Sequence, residues 1–495
     1  MSSARSSSGG SGPDAVVVGA GPNGLVGAIT LAEAGLAVHL VEASATIGGG
    51  ARSGALTLPG FVHDICSSVH PLARIAPPLR AMPLERFGLD WIEPPVALAH
   101  PLDDGSAAVL LRSIDETVAS FDDTDDAAAY RSEIAPFVAS ADPLFEEILG
   151  PLRVPRSPFV LGRFGLQALR SVAGMARRFR TPRARALLGG CAAHSFLPLE
   201  HLFTASFALV FPVAAHVAGW PLPRGGAQSL ADALAHYFVS LGGTIETGRT
   251  VRALSELPSA RAYLFDLTPR ALERIAGDAL PGSFRRSLAR FRYGPGIFKV
   301  DYALDGPIPW ANADCARAST VHVGGTFEEL VASERAVWRD DVSDRPFVLV
   351  TQPTLFDASR APQGMHVAWA YCHVPHGADI DRTAVIDAQI ERFAPGFTRR
   401  IVARHTTSSA ALEAYNPNYI GGDICGGAID GLQLFARPGL RLDPYATPNP
   451  SLYLCSSSTP PGAGVHGMCG WFAAQSALRR AFGRRVVEAT PAPAL

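Results

Sequence analysis

Three glycines near the start of the chain have the spacing of a nucleotide-binding turn. They are Gly19, Gly21 and Gly24. They follow the apolar run 15–18, which predicts a buried strand, and the next segment, 22–34, predicts a helix. Glycines in such a turn let the backbone approach a diphosphate, and the free N–H groups at the helix N-terminus bind its oxygens. The pattern therefore predicts a dinucleotide site at this turn.

An acidic residue follows at the position where the ribose of such a nucleotide is bound. Glu42 comes 18 residues after Gly24 and directly after a second predicted strand, 37–41. A carboxylate at this position accepts hydrogen bonds from the ribose hydroxyls of adenosine and repels a 2′-phosphate. The turn and the acid together favour FAD or NAD over NADP.

A second glycine motif near the end of the chain raises the question of a second nucleotide. It consists of Gly462, Gly464 and Gly467, and Glu488 follows at the distance of a ribose-binding acid. Residues 456–461 separate the motif from the preceding apolar run, so its glycines do not form the immediate strand-to-helix turn that a diphosphate needs. Only two valines are available for a second strand before Glu488. We therefore expect this motif to serve the first site, and it supplies no reason to expect NAD(P)H as the reductant.

Several stretches carry a resemblance to a known family. ATIGGGARSG, residues 45–54, resembles the GG-x-RS element of the flavin-dependent amine oxidase and phytoene desaturase superfamily. Other stretches look like the phytoene desaturase-related FAD-dependent oxidoreductases, among them LPGFVHDICSSVHPLA, PRGGAQSLADALA, GPGIFKVDYALDGPIPW and YNPNYIGGDICGG. The chain resembles in particular the group named for pyridine nucleotide-disulfide oxidoreductase domains, although it has no CxxC pair for disulfide chemistry.

The resemblance implies an α/β fold. A discontinuous, Rossmann-like FAD-binding domain of the amine oxidase/phytoene desaturase type is expected to carry an inserted, mixed α+β substrate domain. The expected FAD-binding parts are 14–95, 223–279 and 436–485, the substrate parts are 96–222 and 280–435, and the tails are 1–13 and 486–495. In the substrate parts, 347–356 and 365–374 predict strands and 384–394 predicts an amphipathic helix.

The turn, the acid and the resemblance together identify the expected FAD-binding residues. In the superfamily the arginine and glycines of GG-x-RS line the diphosphate and the flavin, and the loop before the last helix passes close to the flavin. Val251 is expected on a short strand after a helix over 229–240, with its backbone at the adenine. The full set is Gly19, Gly21, Pro22, Asn23, Gly24, Glu42, Ala43, Gly49, Gly50, Arg52, Val251, Thr459, Gly462, Gly464, Val465, His466 and Met468.

Flavin chemistry leaves few tasks to protein side chains. FAD accepts a hydride from a C–H bond held against its N5 atom, and a side chain sometimes takes the accompanying proton. His466, in the loop expected beside the flavin, is the candidate catalytic residue. The other residues considered for proton handling are His70, His216, His373, Glu413 and Tyr415. A buried structural role is the more common alternative for each of the six.

Three functional hypotheses follow. The leading one is an FAD-dependent dehydrogenase that desaturates a small hydrophobic, isoprenoid or lipid-like substrate, with oxygen or a quinone as electron acceptor. The second is an amine-oxidase-like flavoenzyme, and the third is a flavoprotein whose main role is to bind a partner protein. Because one cofactor frame supports several chemistries, the resemblance alone does not separate them. The substrate and the oligomeric state stay open.

Composition restricts the setting in which the protein acts. A chain of 495 residues with 47% hydrophobic residues predicts two interlocked domains or one large domain with a cap, and its net charge of -2 gives no reason to expect nucleic acid binding. The seven scattered cysteines lack a metal or redox spacing, and the Ser/Gly-rich start lacks the apolar core of a signal peptide. We therefore expect reduced thiols, no metal and a cytoplasmic location. The most apolar run, 203–215, predicts a buried helix beside the substrate cavity, too short to span a bilayer.

A basic stretch, residues 161–185, adds a second possible location. It contains seven arginines among apolar residues at helical spacing. Such a helix can rest on an anionic membrane and admit a lipid substrate. It can equally dock on the core with its arginines in water. We favour the docked helix and keep a peripheral membrane contact as the alternative.

Overall fold

The computed structural model describes residues 12–484. Of the predicted N-terminal tail, only Gly12 and Pro13 are therefore included. The predicted C-terminal tail, 486–495 with Glu488, lies outside the described residues. Within the described range the chain forms sixteen strands and seventeen α-helices.

The strands are short, except for three in the middle of the chain. In chain order they are β1 (Ala15–Val18), β2 (Val38–Val41), β3 (Ser53–Gly54), β4 (His63–Asp64), β5 (Trp91–Ile92), β6 (Val96–Pro101), β7 (Ala107–Leu110), β8 (Leu222–Pro223), β9 (Thr244–Glu246), β10 (Ala262–Phe265), β11 (Gly296–Leu304), β12 (Ala318–Val323), β13 (Val348–Thr351), β14 (His366–Val374), β15 (Ile401–Thr407) and β16 (Leu452–Leu454).

Along the chain, the helices alternate with the strands, and the longest run of consecutive helices is α4 to α10. In chain order they are α1 (Pro22–Glu33), α2 (Pro71–Ile75), α3 (Pro77–Ala81), α4 (Ile114–Ala119), α5 (Thr124–Val138), α6 (Ala141–Ile148), α7 (Pro158–Ala168), α8 (Val172–Ala176), α9 (Pro182–Ala193), α10 (Thr204–Ala218), α11 (Gln228–Ser240), α12 (Pro269–Ala276), α13 (Gly282–Ala289), α14 (Phe327–Val337), α15 (Thr383–Phe393), α16 (Ser409–Tyr415) and α17 (Met468–Arg480).

The first large sheet has five parallel strands in the order β16-β10-β1-β2-β9. Every residue of β1 is buried, because apolar side chains of surrounding elements pack on both faces of the sheet. The carboxyl ends of parallel strands share one edge, so the turns after β1, β2, β10 and β16 all meet there. This sheet confirms the Rossmann-like part of the predicted fold class.

The second large sheet is mixed and has seven strands in the order β15-β11-β14-β13-β12-β6-β7. Only its β12–β6 pair is parallel. The chain between β7 and β8 forms the helices α4 to α10 and the loops that join them, and α9 packs against β6 and β7. The mixed sheet and these helices are the α+β layer that the fold class predicted.

Predictions that rest on local apolar periodicity are confirmed. They include β1, β2 and α1, the helix over 229–240 found as α11, the strand β14 and the helix α15. The apolar run 203–215 forms most of α10, and no helix within residues 12–484 is long and apolar enough to cross a bilayer. The strand predicted over 347–356 is shorter, because the chain turns at Pro353 after β13. The seven cysteines all lie in the described range and all are free thiols.

Two other predictions are wrong. Val251 is not on a strand, because the strand after α11 ends at Glu246 and a loop follows. The basic stretch is not one helix but forms α7, α8 and the start of α9. Two hydroxyls begin new helices within it, since Ser171 accepts an N–H of α8 and Thr181 accepts an N–H of α9.

Candidate nucleotide and substrate site

The turn after β1 has the close contacts that require glycine. Gly19 has a φ of 101°, and a Cβ on Gly24 would lie 2.0 Å from the carbonyl oxygen of Gly19. Pro22 and Asn23, the first residues of α1, line a large cavity. Asn23 Oδ1 is buried and has no partner among the described residues, so this acceptor is available to a hydrogen-bond donor of a ligand. The N-terminus of α1 therefore faces space that an anionic ligand can fill.

Asp266 lies at this same helix N-terminus and was not anticipated from the sequence. It directly follows β10, and its Oδ2 accepts a hydrogen bond of 2.9 Å from the N–H of Gly24. Burial, together with repulsion from Glu42, raises the pKa of Asp266 to about 7. One signal was available, because a residue directly after a strand paired with β1 must lie at the same sheet edge as the glycine turn.

Glu42 is held in place by the backbone at the end of β2. Its carboxylate accepts hydrogen bonds of 2.8 Å from the N–H groups of Ala20 and Ser44. A carboxylate has about four acceptor positions, so Glu42 can still accept from ribose hydroxyls. Ala43 is exposed beside it.

Arg52 and the glycines before it close over the same region. The Arg52 guanidinium is buried, with Nη2 3.3 Å from Glu42 Oε1, and it stacks on the ring of Tyr415 at 5.2 Å. Gly49 passes so near the glycine turn that a Cβ on it would lie 3.0 Å from the Cα of Gly21. Gly50 and Ala51 line the cavity. The loop therefore places a fixed positive charge beside the turn and the acid.

The loop that carries Val251 runs alongside Glu42 although it is not a strand. The N–H of Gly248 donates to Ser44 O at 2.8 Å, and the N–H of Arg249 donates to Glu42 O at 2.9 Å. Val251 itself is buried among apolar residues of the parallel sheet. Loop hydrogen bonds, and not strand pairing, therefore hold the segment before Val251 beside Glu42, and its contact with an adenine stays a prediction.

The second glycine motif belongs to this same sheet. β16 pairs with β10, and the loop that follows β16 lines the cavity with Ser456 to Ser458, Pro460, Pro461 and 463–465. Thr459 and Gly462 are buried within the loop and do not line the cavity. A Cβ on Gly467 would lie 2.4 Å from Val26 of α1, so this glycine permits the two helices to pack. Within the described residues, β16 is the edge strand of this one parallel sheet, and no parallel strand follows α17 to pair with it.

The candidate catalytic residue His466 does not line the cavity. It is fully buried, and its Nδ1 accepts the N–H of Met468 at 3.0 Å, at the start of α17. Burial lowers the pKa of His466 to about 4, so the imidazole is neutral at physiological pH. This geometry favours a helix-capping role over proton transfer.

Of the other five residues considered for proton handling, only His70 lines the cavity. Both of its ring nitrogens are buried without partners among the described residues, and burial lowers its pKa to about 4. The rest have structural partners. His216 bonds Tyr130, His373 bonds Glu334, Glu413 accepts the N–H of Gly421, and Tyr415 lies under Arg52.

One cavity of about 620 Å³ joins the nucleotide loops to the second sheet. Its far wall is apolar and comes from α10 and the mixed sheet; it includes Phe207, Val210, Phe211, Leu349, Trp369 and Tyr371. Its exposed lining residues include Leu152, Leu169 and Phe435, which mark the mouth. Sequence reasoning placed α10 beside the cavity but not the residues of its mouth.

Comparisons with known proteins agree with this geometry. Residues 17–83 match the family model of an NAD(P)-binding Rossmann-like domain. The chain is 26% identical to pyridine nucleotide-disulfide oxidoreductase domain-containing protein 2 of Mus musculus, over 94% of the chain and 93% of that protein. It is 25% identical to a lycopene-forming phytoene desaturase of Pseudescherichia vulneris, over 92% of the chain and 96% of that enzyme. Its fold matches putrescine oxidase bound to putrescine with a TM-score of 0.59 at 16% identity, covering 95% and 98% of the two chains.

The fold, the site and the family match together define a protein with a Rossmann-like nucleotide-binding domain, and the relatives named above carry oxidoreductase and desaturase names. More narrowly, the chain is a relative of the phytoene desaturases and of pyridine nucleotide-disulfide oxidoreductase domain-containing protein 2, as its motifs predicted.

Proposed function

We propose that this protein is an FAD-dependent oxidoreductase that dehydrogenates a small hydrophobic substrate. The observation that carries the proposal is one continuous cavity, which runs from the nucleotide loops to the apolar wall of α10 and the mixed sheet. A substrate C–H bond can therefore meet the cofactor in a space from which apolar side chains exclude water.

The described residues fit FAD as a resident cofactor. Glu42 would accept from the ribose, while the N-terminus of α1 and Arg52 would bind the diphosphate. Loops from three distant parts of the chain surround the remaining space, with Gly50 on one side and Val465 on another. Such enclosure supports a cofactor that stays bound over one that exchanges at each turnover.

The protein and the cofactor would divide the chemistry between them. Bound FAD would supply the hydride acceptor, and oxygen or a quinone would then take the electrons. The chain would bind the cofactor and hold the substrate against it. Because His466 is used in capping and His70 has a lowered pKa, we assign no general base among them.

The charges in the cavity favour a neutral substrate over an amine. Only two acidic residues line it within the described range, Glu147 and Asp266. Glu147 Oε1 already accepts the N–H groups of Arg156 and Ser157, at 2.6 and 2.7 Å, and Asp266 lies at the nucleotide turn. Glu147 Oε2 also lies 3.8 Å from Arg153 Nε, so the charge of this carboxylate already has a cationic partner, which disfavours pairing with an ammonium group.

We also propose that the mouth of the cavity meets an anionic lipid surface. Around it lies a mouth patch of exposed apolar side chains: Leu152 (66% exposed), Val154 (89%), Phe159 (92%), Leu166 (76%) and Leu169 (48%). Arg153, Arg156 and Arg163 are exposed among them. Apolar residues ringed by arginines at the entrance of an apolar cavity suit a bilayer that delivers the substrate.

Anaerobic spectroscopy of the purified protein tests the proposed function. We expect bound flavin absorbance, and we expect isoprenoid or lipid substrates to bleach it while amines do not. Bleaching by amines alone would favour the amine-oxidase alternative. Bound flavin that none of these compounds bleaches would favour the partner-binding alternative. A colourless protein that gains neither flavin absorbance nor thermal stability from added FAD would refute the proposal.

A further inference from the structure

One histidine lies in the largely apolar far wall of the cavity. His194 directly follows α9 and is half-buried, and its ring lies 4.6 Å from that of Phe211 between centroids. Phe196 and Trp369 line the same cavity. Burying an imidazole among apolar side chains costs free energy unless its nitrogens form hydrogen bonds. The hydrogen bonds of His194 therefore indicate which ligand group the wall can bind.

The imidazole is fixed by a second histidine behind it. His194 Nε2 lies 2.9 Å from Nε2 of His322 on β12. Burial lowers the pKa of His194 to about 3 and that of His322 well below its usual value, so both rings are neutral. In a hydrogen bond between two neutral imidazoles, one ring donates its N–H and the other accepts through its unprotonated nitrogen.

The surroundings of His322 decide which ring donates. His322 Nδ1 is buried without a partner among the described residues and faces Gly190, where a Cβ would lie 2.5 Å from it. Nδ1 of His100 is buried near the same glycine, and no hydrogen bond joins it to His322. A proton on His322 Nδ1 would therefore be a buried, unpaired N–H group, which proteins avoid more strictly than an unpaired acceptor. His322 thus carries its proton on Nε2 and donates it to His194.

The remaining ring nitrogen of His194 then follows. Because its Nε2 accepts from His322, a neutral His194 carries its own proton on Nδ1. That nitrogen has no hydrogen-bond partner among the described residues, and the ring lines the cavity. The far wall therefore presents the N–H of His194 to the cavity; the other N–H donor of this wall, Trp369 Nε1, is buried and also has no partner among the described residues.

We propose that the cavity selects a hydrophobic substrate with an uncharged oxygen acceptor, such as a carbonyl, that binds the N–H of His194. The inference names the substrate class of the proposed function and rests on it for the role of the cavity. A pure hydrocarbon would leave this N–H unpaired, and an ammonium group offers it no acceptor. The preferred substrate thus carries an oxygen acceptor that a plain hydrocarbon lacks.

Matched probes test the proposal on the FAD-loaded full chain. Three compounds share one branched alkyl chain that fits the cavity and end in a methyl group, a methyl ketone or a primary amine. Binding is measured by the change in flavin absorbance and by thermal stabilisation. We expect the ketone to bind roughly tenfold more tightly than the hydrocarbon, the effect of one neutral hydrogen bond. We expect the amine to bind no better than the hydrocarbon.

Two variants show whether His194 is responsible. His194→Phe keeps an aromatic ring but removes the donor, so the ketone should lose its advantage while the hydrocarbon still binds. Phe207→Leu is the matched control, because it changes the same wall without a polar group and should keep the ratio of the two affinities. If His194→Phe does not fold, His194→Gln retains an N–H donor and should keep part of the advantage.

The outcomes separate this inference from the proposed function. No ketone preference in the unaltered protein, or a preference that survives His194→Phe, would overturn the inference while leaving a flavin enzyme intact. Tightest binding by the amine would also overturn it. Failure to bind FAD would refute the proposed function instead, and the three probes can still be ranked on the flavin-free chain by thermal stabilisation.

Discussion

At the residue scale, the placement of Asp266 bears most directly on cofactor binding. Its carboxyl group lies at the N-terminus of α1, where the proposed diphosphate would bind, and it already accepts the N–H of Gly24. An ionised carboxylate would repel a diphosphate there, whereas a protonated one could donate a hydrogen bond to it. The raised pKa of about 7 makes the protonated form available near neutral pH. Cofactor binding and the protonation of Asp266 should therefore be linked.

The sign of this linkage gives a testable pH dependence. Below a pH of about 7 Asp266 is mostly protonated and FAD should bind tightly, and above it ionisation should weaken FAD binding by up to about tenfold per pH unit. The dissociation constant can be followed across this range by flavin fluorescence. Asp266→Asn should flatten the profile, and Asp278→Asn, a fully exposed control, should leave it unchanged. An unaltered profile in Asp266→Asn would contradict the assignment.

At the element scale, the parts predicted from sequence were those with local signals. The strand, glycine turn, helix and following acid are contiguous, so apolar periodicity and glycine spacing were sufficient to place them. Asp266 was missed because it reaches Gly24 across 242 residues, and only strand pairing brings them together. The break in the basic stretch did have a local signal, since Ser171 and Thr181 are N-cap residues, but the helical spacing of the apolar residues concealed it.

The ion pairs of the basic stretch show why the helical spacing of its arginines did not predict one amphipathic helix. Glu133 pairs with both Arg170 and Arg178, and Arg183 pairs with Asp122. Ion pairs therefore join the basic stretch to α5 and to Asp122, which lies just before α5. The arginines do not form one continuous basic face that is free to meet a membrane. The histidine pair of the far wall likewise had no sequence signal, because 128 residues separate its members.

The helix α7 provides the element-scale prediction on membrane contact. It exposes Phe159 and Leu166 at the mouth of the cavity. We expect the protein to sediment with anionic lipid vesicles and Phe159→Glu/Leu166→Glu to bind them at least roughly tenfold more weakly, because burying each side chain contributes about 1.5–3 kcal/mol. Val239→Glu on α11 is the matched control, since Val239 is 53% exposed away from the patch. Equal binding by the double variant and the unaltered protein would exclude this surface.

At the scale of the whole molecule, the two ends of the described chain meet at one site. β1 and β16 belong to the same sheet, and α1 packs so tightly on α17 that a Cβ on Gly470 would lie 1.8 Å from Asn23 O. The proposed cofactor would contact the loops that precede both helices. FAD should therefore hold the first and last parts of the fold together and stabilise the protein by about 2.7 kcal/mol at a hundredfold excess over its dissociation constant.

Gly464 tests whether the C-terminal loop clasps this one cofactor. It has a φ of 124°, and a Cβ on it would lie 2.9 Å from Leu72 Cδ1, so Gly464→Leu should displace the loop from the cavity. We expect that variant to fold but to lose bound flavin absorbance and the thermal stabilisation by FAD. Gly162→Leu, where the added side chain meets open space, should keep both. If Gly464→Leu instead retains FAD but loses NADH binding present in the unaltered protein, the second glycine motif holds a nucleotide of its own, and the single-cofactor arrangement is wrong.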